Sequence, residues 1–288
     1  MVLPCCHKQA VVKQVEPTIQ LLSNLDVSHP DVLRQHAINP DDYKSGLVFR
    51  SAIESIRGSF IASSTTGREG LVQDVLENLY RRESIQEYTH NSSRQRYDFT
   101  VLVHHDPEYF MAIEVKGGEG NSINISERPL WAKEFAVWCH LDGAIVNQPS
   151  HGAHSILNRL TNELVRRKKR VDVLFFKDLL CGTNARPCPK YPGQETSIGL
   201  KTAPDIFLFP KAIPTRQEPK PPINTLRDVK LPSLILDLFG VDDSSKMSHV
   251  WEVHIALEEV SEGRLRRIVE VVHQGEVVDT SKSRPWKE

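Results

Sequence analysis

Asp98, Glu114 and Lys116 are the residues of this 288-residue chain whose types and spacing could do chemistry together. Asp98 lies in a strand-like run at 95–101, and Glu114 and Lys116 lie in a second run at 111–116. Between them, His104-His105-Asp106-Pro107-Glu108 reads as a turn, because Asp-Pro favours turn initiation. A hairpin folded about Asp106 places residue 98 opposite residue 114, with Cβ atoms about 5 Å apart. Lys116, two residues past Glu114, shares that face of the strand. Two carboxylates this close repel unless positive charge sits between them. A divalent cation and the Lys116 ammonium would supply it. Oxygen ligands suit a hard cation such as Mg²⁺, which uses few carboxylates and keeps several waters. Such a metal polarises a phosphoryl oxygen and strengthens bound water as a nucleophile. The lysine would orient or activate that water and offset charge building up in the transition state. The chemistry expected is phosphodiester hydrolysis. The plain alternative is a salt bridge across a surface hairpin.

The elements around this trio must position it. Before it, residues 67–80 carry apolar side chains at 71, 72, 75, 76, 79 and 80, the period of a helix with one buried face, with Thr65-Thr66 as its cap. After it, residues 128–140 read as a helix (Leu130, Trp131, Phe135, Val137, Trp138) and residues 143–147 as a short buried strand. Ile156, Leu157, Leu160, Leu164 and Val165 mark a further amphipathic helix, and residues 171–176 a further strand. Helices alternating with strands in this way imply an α/β fold, a mixed central sheet flanked by helices.

With these elements in this order, the chain resembles the PD-(D/E)xK nuclease superfamily, which includes many type II restriction endonucleases. The resemblance covers roughly residues 65–177 and is carried by Asp98, Glu114 and Lys116. It implies a restriction-endonuclease-like core in which Asp98 and Glu114 bind Mg²⁺, with Mn²⁺ able to substitute, and Lys116 assists catalysis. The family often has a further glutamate on the helix before these strands. Glu69 sits at the start of the matching helix and would complete a second metal site or orient Lys116. An acidic residue favoured by the helix dipole explains Glu69 equally well. Tyr97 stands where the family name has proline, and no Gln-x-x-x-Tyr follows the core, which turns the reading from exonucleases toward endonucleases. The resemblance further implies site-specific cutting of double-stranded DNA, a homodimer matched to duplex symmetry, and the cytoplasm of a prokaryotic cell. Two other readings stand beside it: a structure-specific repair or recombination nuclease, and a non-catalytic DNA-binding protein on the same fold.

The formal net charge of −1 excludes a globally basic nucleic-acid binder but not local phosphate contacts. Arg94 and Arg96 beside Asp98, Asn121 and Ser122 in the glycine-rich run after Lys116, and Arg128 and Lys133 beyond it are the candidate DNA contacts. The basic run at 166–170 reads as a solvated helix end. No apolar run is long enough to span a membrane, and the N-terminus lacks a signal-peptide core. Five scattered cysteines do not form a disulfide framework. The spacing of Cys181 and Cys188 is not that of a zinc site.

Three regions are expected: a helical region at 1–64, the nuclease-like core at 65–180, and a proline-rich segment with a β-rich extension at 181–288 that packs on the core or contacts DNA or a second subunit. The proline-rich segment carries Asn184, Arg186, Lys190, Gln194, Lys201 and Arg216 as possible base readers. Pro204-Asp205 within it resembles the acidic half of the motif, but no Glu-x-Lys follows on an adjoining strand, so Asp205 is not expected to act. Residues 250–258 alternate apolar and polar as a half-buried strand, and 264–278 continue as a hairpin or meander.

Overall fold

The structure, a computed structural model, describes residues 17, 33–34, 37–44, 65–91, 97–117, 123–141, 151–178 and 203–287. Contacts divide the chain into one unit of Met1–Ser64 with Leu179–Leu200 and another of Thr65–Asp178 with Lys201–Glu288. In the first, a short helix α1 (Pro40–Lys44) brings Tyr43 against Leu33 and Ile38. The expected helical character of the rest of 1–64, the strand at 143–147 and the proline-rich positions up to Lys201 lie outside the described residues.

The second unit is built on a mixed ten-stranded sheet. Helix α2 (Thr65–Arg81) leads into β1 (Glu87–His90), β2 (Phe99–His105), β3 (Glu108–Gly117) and β4 (Glu134–Leu141). Helix α3 (His151–Arg167) crosses to β5 (Val173–Asp178), followed by β6 (Asp205–Leu208) and helix α4 (Leu231–Leu238). The chain closes with β7 (Val250–Ser261), β8 (Arg264–His273), β9 (Glu276–Lys282) and β10 (Trp286–Lys287). Strands β1 to β8 lie side by side in chain order, with β9 and β10 both on the outer edge of β8. Pairings β3–β4, β4–β5 and β6–β7 are parallel and the others antiparallel. The C-terminal meander therefore extends the same sheet.

Each helix forms because its apolar residues recur at helical spacing. On α2, Val72, Val75, Leu76 and Leu79 are buried; on α3, Ile156, Leu157, Leu160 and Leu164 are. The α3 stripe packs on the sheet face that carries Ala112, Val137, Cys139, Leu174, Phe176 and Phe207. Helix α2 packs on β1, β3 and α4, and none of its side chains joins the α3 cluster, so it covers the opposite face. The side chains of Thr65 and Thr66, the expected cap, lie outside the described ones.

The helix expected at 128–140 is instead the parallel strand β4. Leu130 is fully exposed and Trp131 is 40 % exposed, whereas every side chain from Glu134 to His140 is buried. A helix would expose one side. A parallel strand between two others, covered by helices on both faces, buries all of its residues and reads as one continuous apolar run. Its first residue, Glu134, is fully buried, and burial pushes its carboxyl up to about 7. Its Oε2 accepts the backbone N–H groups of Lys230 (2.8 Å) and Leu231 (3.3 Å), capping the start of α4 from another strand.

Candidate functional site

The β2–β3 hairpin sets the geometry. Phe99 pairs with Ile113, Thr100 with Ala112 and Val101 with Met111, and the Asp98 N–H donates to the Ile113 carbonyl at 3.0 Å. Asp98 therefore falls opposite Glu114. Alternation along β3 puts Glu114 and Lys116 on the face of Ala112, the side covered by α3.

Glu114 is only 4 % exposed. Its Oε1 lies 2.6 Å from Lys116 Nζ, and its Oε2 accepts the Ser126 N–H at 2.7 Å. Burial pushes its carboxyl pKa above the usual range, although Lys116 and the Ser126 N–H pull the other way; the nearby Asp98 charge adds to the rise. Asp98 Oδ2 accepts the Val115 N–H at 2.6 Å, just past the last β2–β3 pair. Both carboxylates are thus fixed by backbone N–H groups at the end of the sheet.

The buried Cys139 thiol pairs in register with Lys116 and is pushed up to about 12 by burial, which makes it inert as a nucleophile or metal ligand. The charges of Lys116, Arg159 of α3 and Arg68 of α2 each pull it the other way, and of these Lys116 is the one that acts on Glu114. On the opposite face of β3, the α2 side, Gly117 leaves space for Arg68: a Cβ there would stand 2.9 Å from Arg68 Nη1. No short motif marks Arg68, Arg159 or Ser126, because each arrives through packing of a separate element.

Glu69 is not brought to the trio. Its Oε2 lies 3.1 Å from His90 Nε2, and His90 stacks on Phe99, whose partner Ile113 faces away from Glu114. Among the described residues, no third His, Cys, Asp or Glu joins Asp98 and Glu114 as a metal-holding group. Arg128 is also diverted. It is 2.8 Å from both oxygens of buried Asp172 and donates to the carbonyls of Ala132 and Lys133, which ties the approach to β4 onto β5. The Lys133 N–H donates to the Phe110 carbonyl, four residues from Glu114, or about 13 Å along a strand. Lys133 therefore stands at the turn end of the hairpin, and the expectation that Arg128 and Lys133 reach the cleft is corrected. Arg94, Arg96, Asn121, Ser122, Cys181 and Cys188 lie outside the described residues.

Asp205 is buried on β6 and lies in the same cross-sheet row as Lys116, through Cys139 and Phe176. Three strand spacings, about 14 Å, separate it from Lys116, too far to share a metal. Comparisons with protein-family models, curated proteins and solved structures find no match to this chain. Among the described residues, no helix is long and apolar enough to cross a membrane.

Proposed function

We propose that this protein is a Mg²⁺-dependent endonuclease of the PD-(D/E)xK type that hydrolyses phosphodiester bonds in double-stranded DNA, acting as a homodimer on a symmetric site. The observation that carries the reading is the pairing of Asp98 opposite Glu114 with Lys116 on the same face.

Two oxygen donors, both held by backbone N–H groups, suit a cation that takes one or two carboxylates and completes its shell with water and phosphate. Asp98 and Glu114 would hold it. Bound there, magnesium supplies Lewis-acid polarisation of the phosphoryl oxygen and acidifies water. The chain's own residues do the rest. Lys116 orients the attacking water and offers positive charge to the developing phosphorane. Arg68 and Arg159 add to the positive potential that attracts a phosphodiester. The buried floor formed by Val137, Cys139 and the stem of Glu114 excludes bulk water on one side, which strengthens each of these interactions.

The test is incubation of a long mixed-sequence duplex with the protein, in Mg²⁺ and in EDTA, beside Glu114→Gln. Discrete Mg²⁺-dependent fragments that vanish in E114Q support the reading. A smear points to a nuclease without site preference. Cutting only of branched substrates points to a repair or recombination role. Equal DNA binding by both proteins without cutting of any substrate supports the non-catalytic reading.

A further inference from the structure

A cleft of about 600 Å³ lies between α3 and the β8–β9 hairpin, and a buried guanidinium lines it. Arg267, on β8 opposite Leu257, is 7 % exposed. Its Nη1 donates to the Asn158 carbonyl at 3.0 Å, while its buried Nε has no hydrogen-bond partner. Among the described residues no carboxylate pairs with it. Burial, with Arg166 nearby, pushes its pKa down to about 10, so it stays charged at neutral pH.

A buried, unpaired cation is strongly destabilising unless something negative accompanies it. The acids of the cleft do not serve. Glu163 is engaged by Arg167 at 3.2 Å and Lys169 at 3.5 Å, and Asp279 by His154 at 3.2 Å. The cleft also holds a second guanidinium, Arg159, and the Asn162 amide. All of its lining residues but Ile123 carry a polar or charged group, and its volume lies within the range of small-molecule sites. A planar guanidinium matches the oxygens of a phosphate group better than it matches a spherical anion such as chloride. Among the described residues, none of Asp98, Glu114 and Lys116 lines this cleft.

We infer that the cleft between α3 and the β8–β9 hairpin binds a phosphate group through Arg267, with Arg159 and Asn162 as further donors. The ligand is an ester of nucleotide size or one phosphate of a nucleic-acid backbone. The binding needs no metal and does not rest on the nuclease reading.

The test is thermal unfolding and calorimetric titration of the full chain in EDTA, at constant ionic strength set with chloride. The ligands are inorganic phosphate, a nucleoside 5′-monophosphate and a short duplex. Wild type should show a saturable Tm rise of roughly 5 °C at a hundredfold excess over Kd. Arg267→Met should lose that response while melting no lower than phosphate-free wild type, because it replaces an unpaired buried charge with an apolar chain of similar length. E114Q should respond as wild type does, which separates this site from the hairpin trio. Competition between phosphate and duplex would assign the ligand to a nucleic-acid backbone, and phosphate binding without competition to a free phosphate ester. No response in wild type, or an equal response in R267M, overturns the inference. If R267M does not fold, Asn162→Trp fills the cleft from α3, and undiminished phosphate binding by N162W overturns the inference equally.

Discussion

Asp205→Asn gives a quantitative test of how this sheet is packed. Asp205 is 2 % exposed on β6 and its Oδ1 has no hydrogen-bond partner. Burial pushes its pKa from 3.8 up to about 8, with the Trp251 indole working against the shift. The sign follows from proton counting. Below pH 3.8 both states hold the proton and the group has no effect. Between 3.8 and about 8 the unfolded chain has released it and the folded chain keeps it, so stability falls by about 1.4 kcal/mol per pH unit. Above about 8 the loss is complete. At pH 7 the accumulated loss is at most about 4 kcal/mol. Asparagine does not titrate, so the stability of D205N relative to wild type should climb by about 1.4 kcal/mol per unit from pH 5 to pH 8. Urea unfolding at four pH values in that range measures it. Glu134 also titrates there, but it contributes to both proteins and cancels in the difference. Parallel curves would refute the burial argument. Under the proposed function, because Asp205 stands three strands from Lys116, D205N should keep the wild-type cutting activity, and loss of Mg²⁺-dependent cutting in a folded D205N would place the acidic centre at Pro204-Asp205 instead.

Two further predictions concern the carboxylates. Under the proposed function, because burial holds the Glu114 pKa above the usual 4.5, its proton should compete with Mg²⁺, so the metal concentration for half-maximal cutting should rise as pH falls, beginning above the range of an ordinary glutamate; a flat Mg²⁺ requirement between pH 5 and 8 in the folded protein counts against it. Arg128→Met should cost about 1–3 kcal/mol in urea unfolding, because buried Asp172 loses one of its two guanidinium partners and keeps Arg170 and the Phe135 N–H, while under the proposed function the salt dependence of DNA binding should not change.

The hairpin was legible in the sequence for a reason its turn alone does not supply. His105 pairs with Glu108 and His104 with Tyr109, a register that by itself would set residue 98 against residue 115. A one-residue slip of that kind turns every side chain to the other face. The irregularity between Leu102 and His104 absorbs one residue, and beyond it Phe99 meets Ile113, so Asp98 meets Glu114. Symmetry about Asp106 thus gives the right pair through a bulge that no residue type announces. Helices α2 and α3 were legible because each has one buried face. β4 was not, because Phe135, Val137 and Trp138 satisfy a helical period by accident while Ala136 between them and Cys139 and His140 after them are buried too. Strand β1, four residues, and helix α4, eight residues with a proline at its start, were too short to stand out. The capture of Arg128 by Asp172, 44 residues away, depends on the β4–β5 pairing and has no local signal.

The position of Glu69 bears on mechanism. A helix beginning at Thr65 and packing on β1 directs Glu69 to His90, on the opposite face from Glu114. A site with two carboxylates and a lysine suits a single cation, with the second positive charge supplied by protein. Lys116, 2.6 Å from Glu114, provides it. The carboxylates in turn owe their positions to backbone donors, Val115 N–H and Ser126 N–H, rather than to a metal. Glutamine at 114 keeps an oxygen for the Ser126 N–H but turns an amide NH2 toward Lys116, so it gives up the charge and the acceptor that Lys116 uses. Loss of cutting in E114Q with unchanged unfolding would therefore report on the chemistry of the site, whereas loss of both would mean that the Lys116–Glu114 pair is part of the fold.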